Sequence, residues 1–275
     1  LKQQAAQGEV IYNDDTTIKI LSLMKEQKGM FTTSVLSTVN HRKIALFFTS
    51  QKHSGQNLDE LLKKRQPDSK APIQMCDALS RNTPKTFKTI LAHCLAHGRR
   101  RFVDAAWNFS QERRYVLEIF SKVYHNEKIA KSQRLSPEKR LRFHQSKSQP
   151  LMDDLKKWLE AQFAQKKVEP NSGLGDAITY MLKHWQPLTL FLRMPNAPLD
   201  NNVCERALKK AILHRKNAMF YKTEHGAFIG DLFMSLIHTC NLAGINPFDY
   251  ITSLVQHSSM VFKHPEKWLP WNYKA

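Results

Sequence analysis

Glu9-Val10-Ile11-Tyr12-Asn13, running directly into the acidic pair Asp14-Asp15, reads as a β-strand closed by carboxylates. Ile18-Lys19-Ile20-Leu21 follows. Met30-Phe31-Thr32-Thr33-Ser34-Val35-Leu36-Ser37-Thr38-Val39 is rich in β-branched residues and predicts a second strand. Lys43-Ile44-Ala45-Leu46-Phe47-Phe48-Thr49 predicts a third, and the gap Asn40-His41-Arg42 is short enough for a hairpin. Ser54-Gly55-Gln56-Asn57 opens a helical stretch through Arg65, with apolar positions at helical spacing. After a linker from Pro67 to Pro72, Ile73-Gln74-Met75-Cys76-Asp77 is a short buried strand that again ends in a carboxylate. Three strands, a helix and a fourth strand predict a compact α/β unit.

From Thr86 to Trp185 the pattern changes to that of helices. Phe87, Ile90, Leu91 and Cys94 share one face, and Val116, Ile119, Phe120 and Val123 share another. Leu151, Leu155, Trp158, Leu159 and Phe163 continue the pattern, while Pro137, Pro150 and Pro170 punctuate it. No strand stands out in this region. Residues 201–217 and 227–242 are two further helices, the second closed by Gly244. The expected organisation is the first part of a catalytic core at 1–85 and a helical insertion at 86–195. The remainder of the core follows at 196–250, and a tail at 251–275.

The 275 residues include 42 Lys plus Arg against 24 Asp plus Glu, a formal net charge of +18. Such a surplus points to nucleic acid, because each phosphate neutralised by Lys or Arg releases condensed counterions. Residues 79–170 alone hold 20 Lys/Arg and 9 Asp/Glu, a surplus of +11, and a solvated basic surface is the plainer alternative. Hydrophobic residues at 41%, with 9 Gly and 12 Pro, exclude collagen-like and Pro/Gly-rich disordered chains. Cys76, Cys94, Cys204 and Cys240 are too scattered for a secreted disulfide framework. No apolar run approaches the length of a membrane span, and Leu1-Lys2-Gln3-Gln4 lacks the apolar core of a signal peptide. A cytoplasmic basic protein is expected and, since no initiator Met stands at its start, a fragment of a longer chain.

Three carboxylates stand out by position. Asp14 closes the first strand, Asp77 closes the fourth, and Glu205 sits in a helix after the turn-like Asn196-Ala197-Pro198-Leu199-Asp200-Asn201-Asn202. Carboxylates at adjacent strand ends can share divalent metal, since hard Mg²⁺ takes a few carboxylates plus substrate phosphate oxygens. Two such ions, about 3.5–4 Å apart, clamp the attacking and leaving oxygens of a phosphoryl transfer. Strand-end acids also arise simply as caps, turns and solvated ends.

Longer motifs change that balance. Leu199-Asp200-Asn201-Asn202-Val203-Cys204-Glu205-Arg206-Ala207 is followed by Arg215-Lys216-Asn217-Ala218-Met219-Phe220 and Gly226-Ala227. Ser235-Leu236-Ile237-His238-Thr239-Cys240, Asn246-Pro247-Phe248-Asp249-Tyr250 and Trp268-Leu269-Pro270-Trp271-Asn272 come next in order. Upstream stand Asn13-Asp14-Asp15-Thr16, Cys76-Asp77-Ala78 and the stretch from Cys94 to Phe102. In these motifs nearly the whole chain resembles the bacterial IS66-type insertion-sequence transposases. The resemblance implies an RNase H-like mixed sheet, with a large all-helical insertion before the Glu-bearing helix. It also implies a DDE triad of Asp14, Asp77 and Glu205 holding two Mg²⁺ or Mn²⁺ ions. The implied activity is DNA strand cleavage and strand transfer at insertion-sequence ends. Asp15 rivals Asp14 for the first place, and spacing does not choose between them. The second motif reads Asp77-Ala78-Leu79 where the family commonly has Asp-Gly-Tyr, so no role is carried over for the following aromatic. The implied partners are the element's terminal inverted repeats and target DNA, with a homo-oligomer and accessory element-encoded proteins as further candidates. The implied location is the bacterial nucleoid.

Arg99, Arg100 and Arg101 are read as phosphate contacts, since Arg forks match phosphate oxygens. Arg206, Arg215 and Lys216 lie near Glu205 and are read as holding DNA phosphates. Lys209 shares the acid's helix face one turn on, where it holds DNA or simply pairs with Glu205. His93, Cys94 and His97 make at best half a zinc site, so Cys94 is expected in the core. Trp107, Phe109, Trp158 and Trp185 are expected to be core. No phosphate-cradling Gly-rich loop supports ATP use, and no His/Asn partner supports a cysteine nucleophile. The alternatives kept open are a non-catalytic DNA-binding remnant of a truncated transposase and a zinc-binding interaction protein.

Overall fold

The computed structural model describes residues 1–26, 29–105 and 109–273, with the side chains of residues 25 and 26 excepted. It is an α/β structure of two compact units, one formed by residues 1–90 and 202–275 and the other by 91–201.

The first unit begins with a short helix, α1 (Lys2–Ala5), and the strand β1 (Val10–Thr17). β1 runs past the expected end at Asn13, so Asp14 and Asp15 lie within the strand instead of closing it. Its antiparallel partner β2 (Phe31–Val39) pairs Asp14 with Ser34, which holds the acids in regular pleat. A two-residue hairpin leads to β3 (Arg42–Ser50). Asn40 and His41 have φ values of 46° and 65°, the positive pair that a primed turn needs to match strand twist. Helix α2 (Ser54–Leu62) follows, and then β4 (Ile73–Cys76), parallel to β1. β5 (Ile90–His93) completes the mixed sheet, whose order is β3-β2-β1-β4-β5. This strand corrects the expectation of helix from Thr86 onward. A four-residue apolar run carries too little periodicity to tell strand from helix, and Ile90 N–H bonds the Pro72 carbonyl at 2.9 Å.

The chain then forms the second unit, which is helical. Its elements are α3 (Leu95–Asp104), α4 (Ser110–Ser132), α5 (Pro137–Lys147), α6 (Gln149–Ala164), α7 (Gly173–Lys183) and α8 (Trp185–Leu188). Pro137 and Pro150 sit in the first turns of α5 and α6, where a missing N–H costs nothing, so they start helices rather than interrupt them. Phe102, Phe120, Val116, Val123, Leu155, Leu159 and Met181 are buried in this unit. Trp185 is buried, while Phe109 is half-buried and Trp158 half-buried against Tyr115; Trp107 lies outside the described residues.

Returning to the first unit, α9 (Asn202–Ala218) packs on β1 and β2, and α10 (Glu224–Ala243) lies along β3. Gly244, at φ 72° in the left-handed region, ends α10. α11 (Pro247–Gln256) and α12 (Ser258–Lys263) follow. The sheet is covered on both faces. Ile11, Val35, Ile44 and Leu46 pack with Leu58, Leu61 and Leu62 of α2, whereas Leu36, Ala45 and Phe47 pack with Ala207, Leu208 and Ala211 of α9. Alternation of side chains therefore assigns odd positions of β1 to the α2 face and even positions to the α9 face. Among the described residues no helix is long and apolar enough to cross a membrane.

α10 also closes the sheet's edge. Asp231, Ser235 and Thr239 recur every four residues, a rise of about 6 Å that nearly matches the roughly 6.8 Å spanned by two strand residues. Their side chains accept from the N–H groups of Thr49, Phe47 and Ala45 in turn, at 2.5, 3.0 and 3.1 Å. Three outward donors of an edge strand are thereby satisfied by a helix instead of another chain. Ser235→Ala is expected to lower stability by about 1–2 kcal/mol in urea denaturation, because it orphans the Phe47 N–H under a covering helix. An unchanged midpoint would show that water replaces the hydroxyl.

Candidate active site

The first unit contains all three acids picked out by the sequence. Asp14 is an even position of β1 and lies on the α9 face; Asp15, one residue on, lies on the α2 face. Tyr12 stands opposite Met75 in the parallel pair, and Asp77 follows directly on the end of β4 at Cys76, near enough for its charge to act on Asp14. Glu205 is in the first turn of α9, half-buried, next to the fully buried Cys204.

Electrostatics links the three. Burial, then the Asp77 charge, raises the Asp14 carboxyl to about 7, and Asp15 and Glu205 push in the same direction. The Asp15 N–H donates to Asp14 Oδ1 at 2.8 Å and opposes the rise. A carboxyl raised by burial and by anionic neighbours marks a site short of positive charge. Three carboxylates are hard oxygen donors suited to a divalent cation such as Mg²⁺ or Mn²⁺, so the donor set fits the group implied by the sequence. Buried, the Cys204 thiol donates to the Ser34 carbonyl and is pushed well above its ordinary value, which leaves it inert as a nucleophile. All four cysteines are buried, and none of them forms a disulfide.

Asp15 is differently engaged. Its side chain is almost fully buried, with Oδ2 3.2 Å from His53 Nδ1 and 3.3 Å from the Ser54 N–H at the start of α2. Arg81 Nη2 lies 3.3 Å from the other oxygen, Oδ1. This carboxylate ties β1 to α2 and to the loop after Asp77.

The basic residues divide between the units. Arg206, Lys209 and Lys216 are exposed on α9. Arg215 is half-buried; its Nη1 donates to Thr16 Oγ1 and Thr17 Oγ1 at 3.1 Å each and to the Thr17 carbonyl, so it fastens α9 to the end of β1. Arg99, Arg100 and Arg101 are exposed on α3 in the other unit, with the Arg101 guanidinium 4.1 Å from the centre of the Tyr180 ring. Cys94 is buried in that unit, as expected of a core residue.

Sequence reasoning missed a set of buried polar residues beside the acids. Asn13, Gln74 and Asn82 are each fully buried, and Asn82 Nδ2 donates to Asp77 Oδ1. Polar residues inside apolar strands were the available signal: Asn13 directly precedes Asp14, and Gln74 interrupts Ile73 and Met75.

The family model described as transposase IS66 matches residues 1–228. Over 189 residues the chain is 34% identical to the uncharacterized protein y4jD of Sinorhizobium fredii, covering 67% of this chain and 36% of that protein. Over 293 aligned residues it is 29% identical to the uncharacterized protein y4hP of the same organism, covering 97% of this chain and 51% of that protein. The chain thus spans about half the length, or less, of these curated relatives.

Proposed function

The chain belongs to the IS66 transposase family, and we propose that its first unit is a DDE-type catalytic core on an RNase H-like sheet. The proposed reaction is hydrolysis of a phosphodiester at an insertion-sequence end, freeing a 3′-hydroxyl, followed by direct attack of that hydroxyl on target DNA. The observation that carries this reading is the gathering of Asp14, Asp77 and Glu205 from β1, the end of β4 and α9, where burial first, and then the neighbouring carboxylates, raise Asp14 to about 7. Of the two candidates for the first acid, Asp14 shares a field with the other two, while Asp15 is committed to His53, Ser54 and Arg81.

In this proposal Asp14, Asp77 and Glu205 hold two Mg²⁺ or Mn²⁺ ions, which when bound supply Lewis acidity and neutralise charge on the phosphate. The Asp14 carboxyl gives up its proton on cation binding, so the site is charged when loaded and partly neutral when empty. Exposed Arg206, Lys209 and Lys216 extend from the acid-bearing helix and hold DNA phosphates beside the scissile bond. Arg215 holds α9 on β1 and so keeps Glu205 in register. Arg99 and Arg100 contact DNA further along, and Arg101 does so from its seat on Tyr180. The partners proposed are terminal inverted repeats and target DNA, with a second copy of the chain or an accessory element-encoded protein completing the assembly. The proposed place of action is the bacterial nucleoid.

The test is strand nicking and joining on DNA carrying the element's ends, with Mg²⁺ or Mn²⁺, comparing the chain with Glu205→Gln. Loss of at least about a hundredfold in cleavage, with DNA binding retained, is expected for removal of a charge that acts in the transition state. Equal activity in both proteins would sink the Glu205 assignment.

A further inference from the structure

We infer that Asn82 is a positioning residue for Asp77, turning that carboxylate so that one oxygen is held by the protein and the other is left for a cation; the inference rests on the reading of Asp77 as a metal-binding acid. Both protein donors to Asp77 meet a single oxygen. Asn82 Nδ2 and the Leu79 N–H, the latter at 3.3 Å, converge on Oδ1, and Oδ2 takes no hydrogen bond among the described residues. A carboxylate gripped by one oxygen presents the second in a fixed direction, the usual way an outer partner orients a metal ligand.

Asn82 is itself held with unusual thoroughness. Its side chain is fully buried, and its carbonyl accepts from Asn13 Nδ2 and from Gln74 Nε2, each at 2.8 Å. Gln74 Nε2 also bonds Asn13 Oδ1 at 2.8 Å, and Thr89 Oγ1 donates to Gln74 Oε1 at 2.8 Å. Asn13 Nδ2 reaches Ser54 Oγ as well. The peptide of Asn82 is thus pinned by side chains from β1 and β4, the strands that lead to Asp14 and Asp77. On its other flank the loop lies against the start of α2 at Gly55, where a Cβ would fall 2.8 Å from the Arg81 carbonyl and closer still to that of Thr83. Arg81 is tied in turn to Asp15.

The amide's orientation carries a cost that points the same way. Asn82 Oδ1 is buried with no hydrogen-bond partner among the described residues. Rotating the amide would set this oxygen against the Asp77 carboxylate, so the donor is kept on the acid at the expense of an orphaned acceptor. A residue serving only to fill the loop would have no reason to accept that arrangement.

The test uses Mn²⁺ binding to the full chain, followed by the electron paramagnetic resonance signal of free Mn²⁺, with the metal dependence of DNA cleavage alongside. Asn82→Ala is expected to weaken Mn²⁺ binding about 10–100-fold, the range for loss of a partner that orients a ligand. In an Asp77→Asn background the same substitution is expected to change it less than about twofold, because its effect passes through the carboxylate. A merely structural role would weaken both backgrounds alike and would overturn the inference. Where Asn82→Ala fails to fold by circular dichroism, Asn82→Leu keeps the volume without the donor and is expected to give the same pattern. If Asp77→Asn weakens binding and abolishes cleavage but Asn82→Ala stays within twofold of wild type, the inference fails and the triad stands. If Asp77→Asn itself leaves binding and cleavage unchanged, the triad reading fails and takes the inference with it.

Discussion

Asp14→Asn is expected to reduce strand cleavage by at least about a thousandfold while making the metal-free protein more stable above pH 7. The two effects have one cause. The Asp14 carboxyl sits at about 7 in the folded chain against 3.8 as a free group, because burial and the Asp77 charge disfavour its anion. The folded state therefore binds this proton more tightly than the unfolded state. Stability from that proton is complete below about pH 4, declines as pH rises between 4 and 7, and is gone above 7. A shift of this size corresponds to a penalty on the order of 4 kcal/mol at pH 8. Asparagine carries no charge to desolvate, so denaturant midpoints of the two proteins should converge near pH 4 and separate toward pH 8, the variant being the more stable. Mg²⁺ or Mn²⁺ at pH 8 should then raise the melting temperature of the wild type, by about 2.7 kcal/mol of stabilisation at a hundred times the dissociation constant, and leave Asp14→Asn nearly unmoved. A wild type that is more stable than the variant at pH 8 without metal would mean that the Asp14 carboxyl is not held above its ordinary value.

Much of this site could be read from residue order because strand chemistry is local. Val10-Ile11-Tyr12, the β-branched run of β2 and the short hairpin at Asn40-His41 declare themselves within a few residues, and so does the helix around Glu205. Residue order does not say which of Asp14 and Asp15 faces the helix that carries Glu205. That face is set only when Leu36 and Ala45 pack on Ala207 and Leu208 from more than 160 residues away. β5 was hidden because Ile90-Leu91-Ala92-His93 is apolar at either period, and its pairing partner is supplied by β4 rather than by its own pattern. The edge cover of α10 was in principle visible: Asp231, Ser235 and Thr239 form a polar stripe on an otherwise apolar helix. Its meaning was not, since a polar stripe ordinarily faces water and this one faces backbone. The loop at Asn82 is the hardest case. Its importance lies in a carbonyl that collects two amides, and a main-chain acceptor leaves no mark on the sequence.

The helical unit offers the other large effect. Glu127→Ala is expected to destabilise that unit by about 3–5 kcal/mol at pH 7, the cost of leaving the buried Arg140 guanidinium without its counter-charge. Glu127 is 6% exposed in α4; Arg140 Nε and His144 Nε2 each lie 2.8 Å from its Oε2, and Lys131 Nζ 3.1 Å from Oε1. Burial alone would raise its pKa, but the hydrogen bonds from His144 and Arg140 and the charges of Arg140 and Lys131 outweigh it and hold the carboxyl at about 2. The folded value is below the ordinary 4.5, so this stabilisation is present above pH 4.5 and is lost as pH falls toward 2. The reason for so engaged an acid lies in the charge pattern. α4 and α5 both carry more basic than acidic residues, and without an anion between them their basic faces would repel. Arg140 extends the tie by donating to the Ala197 carbonyl at 2.9 Å, and Ser148 links His144 to Asn126. Replacing Glu127 and Arg140 together by Leu and Met should cost less than Glu127→Ala alone, because the double variant leaves no buried guanidinium unpaired. Chemical denaturation of the wild type and both variants at pH 7 decides it: a double variant no more stable than Glu127→Ala would show that packing, and not charge, holds α4 to α5. One acid, spent inside, thus keeps together helices whose outer faces are basic.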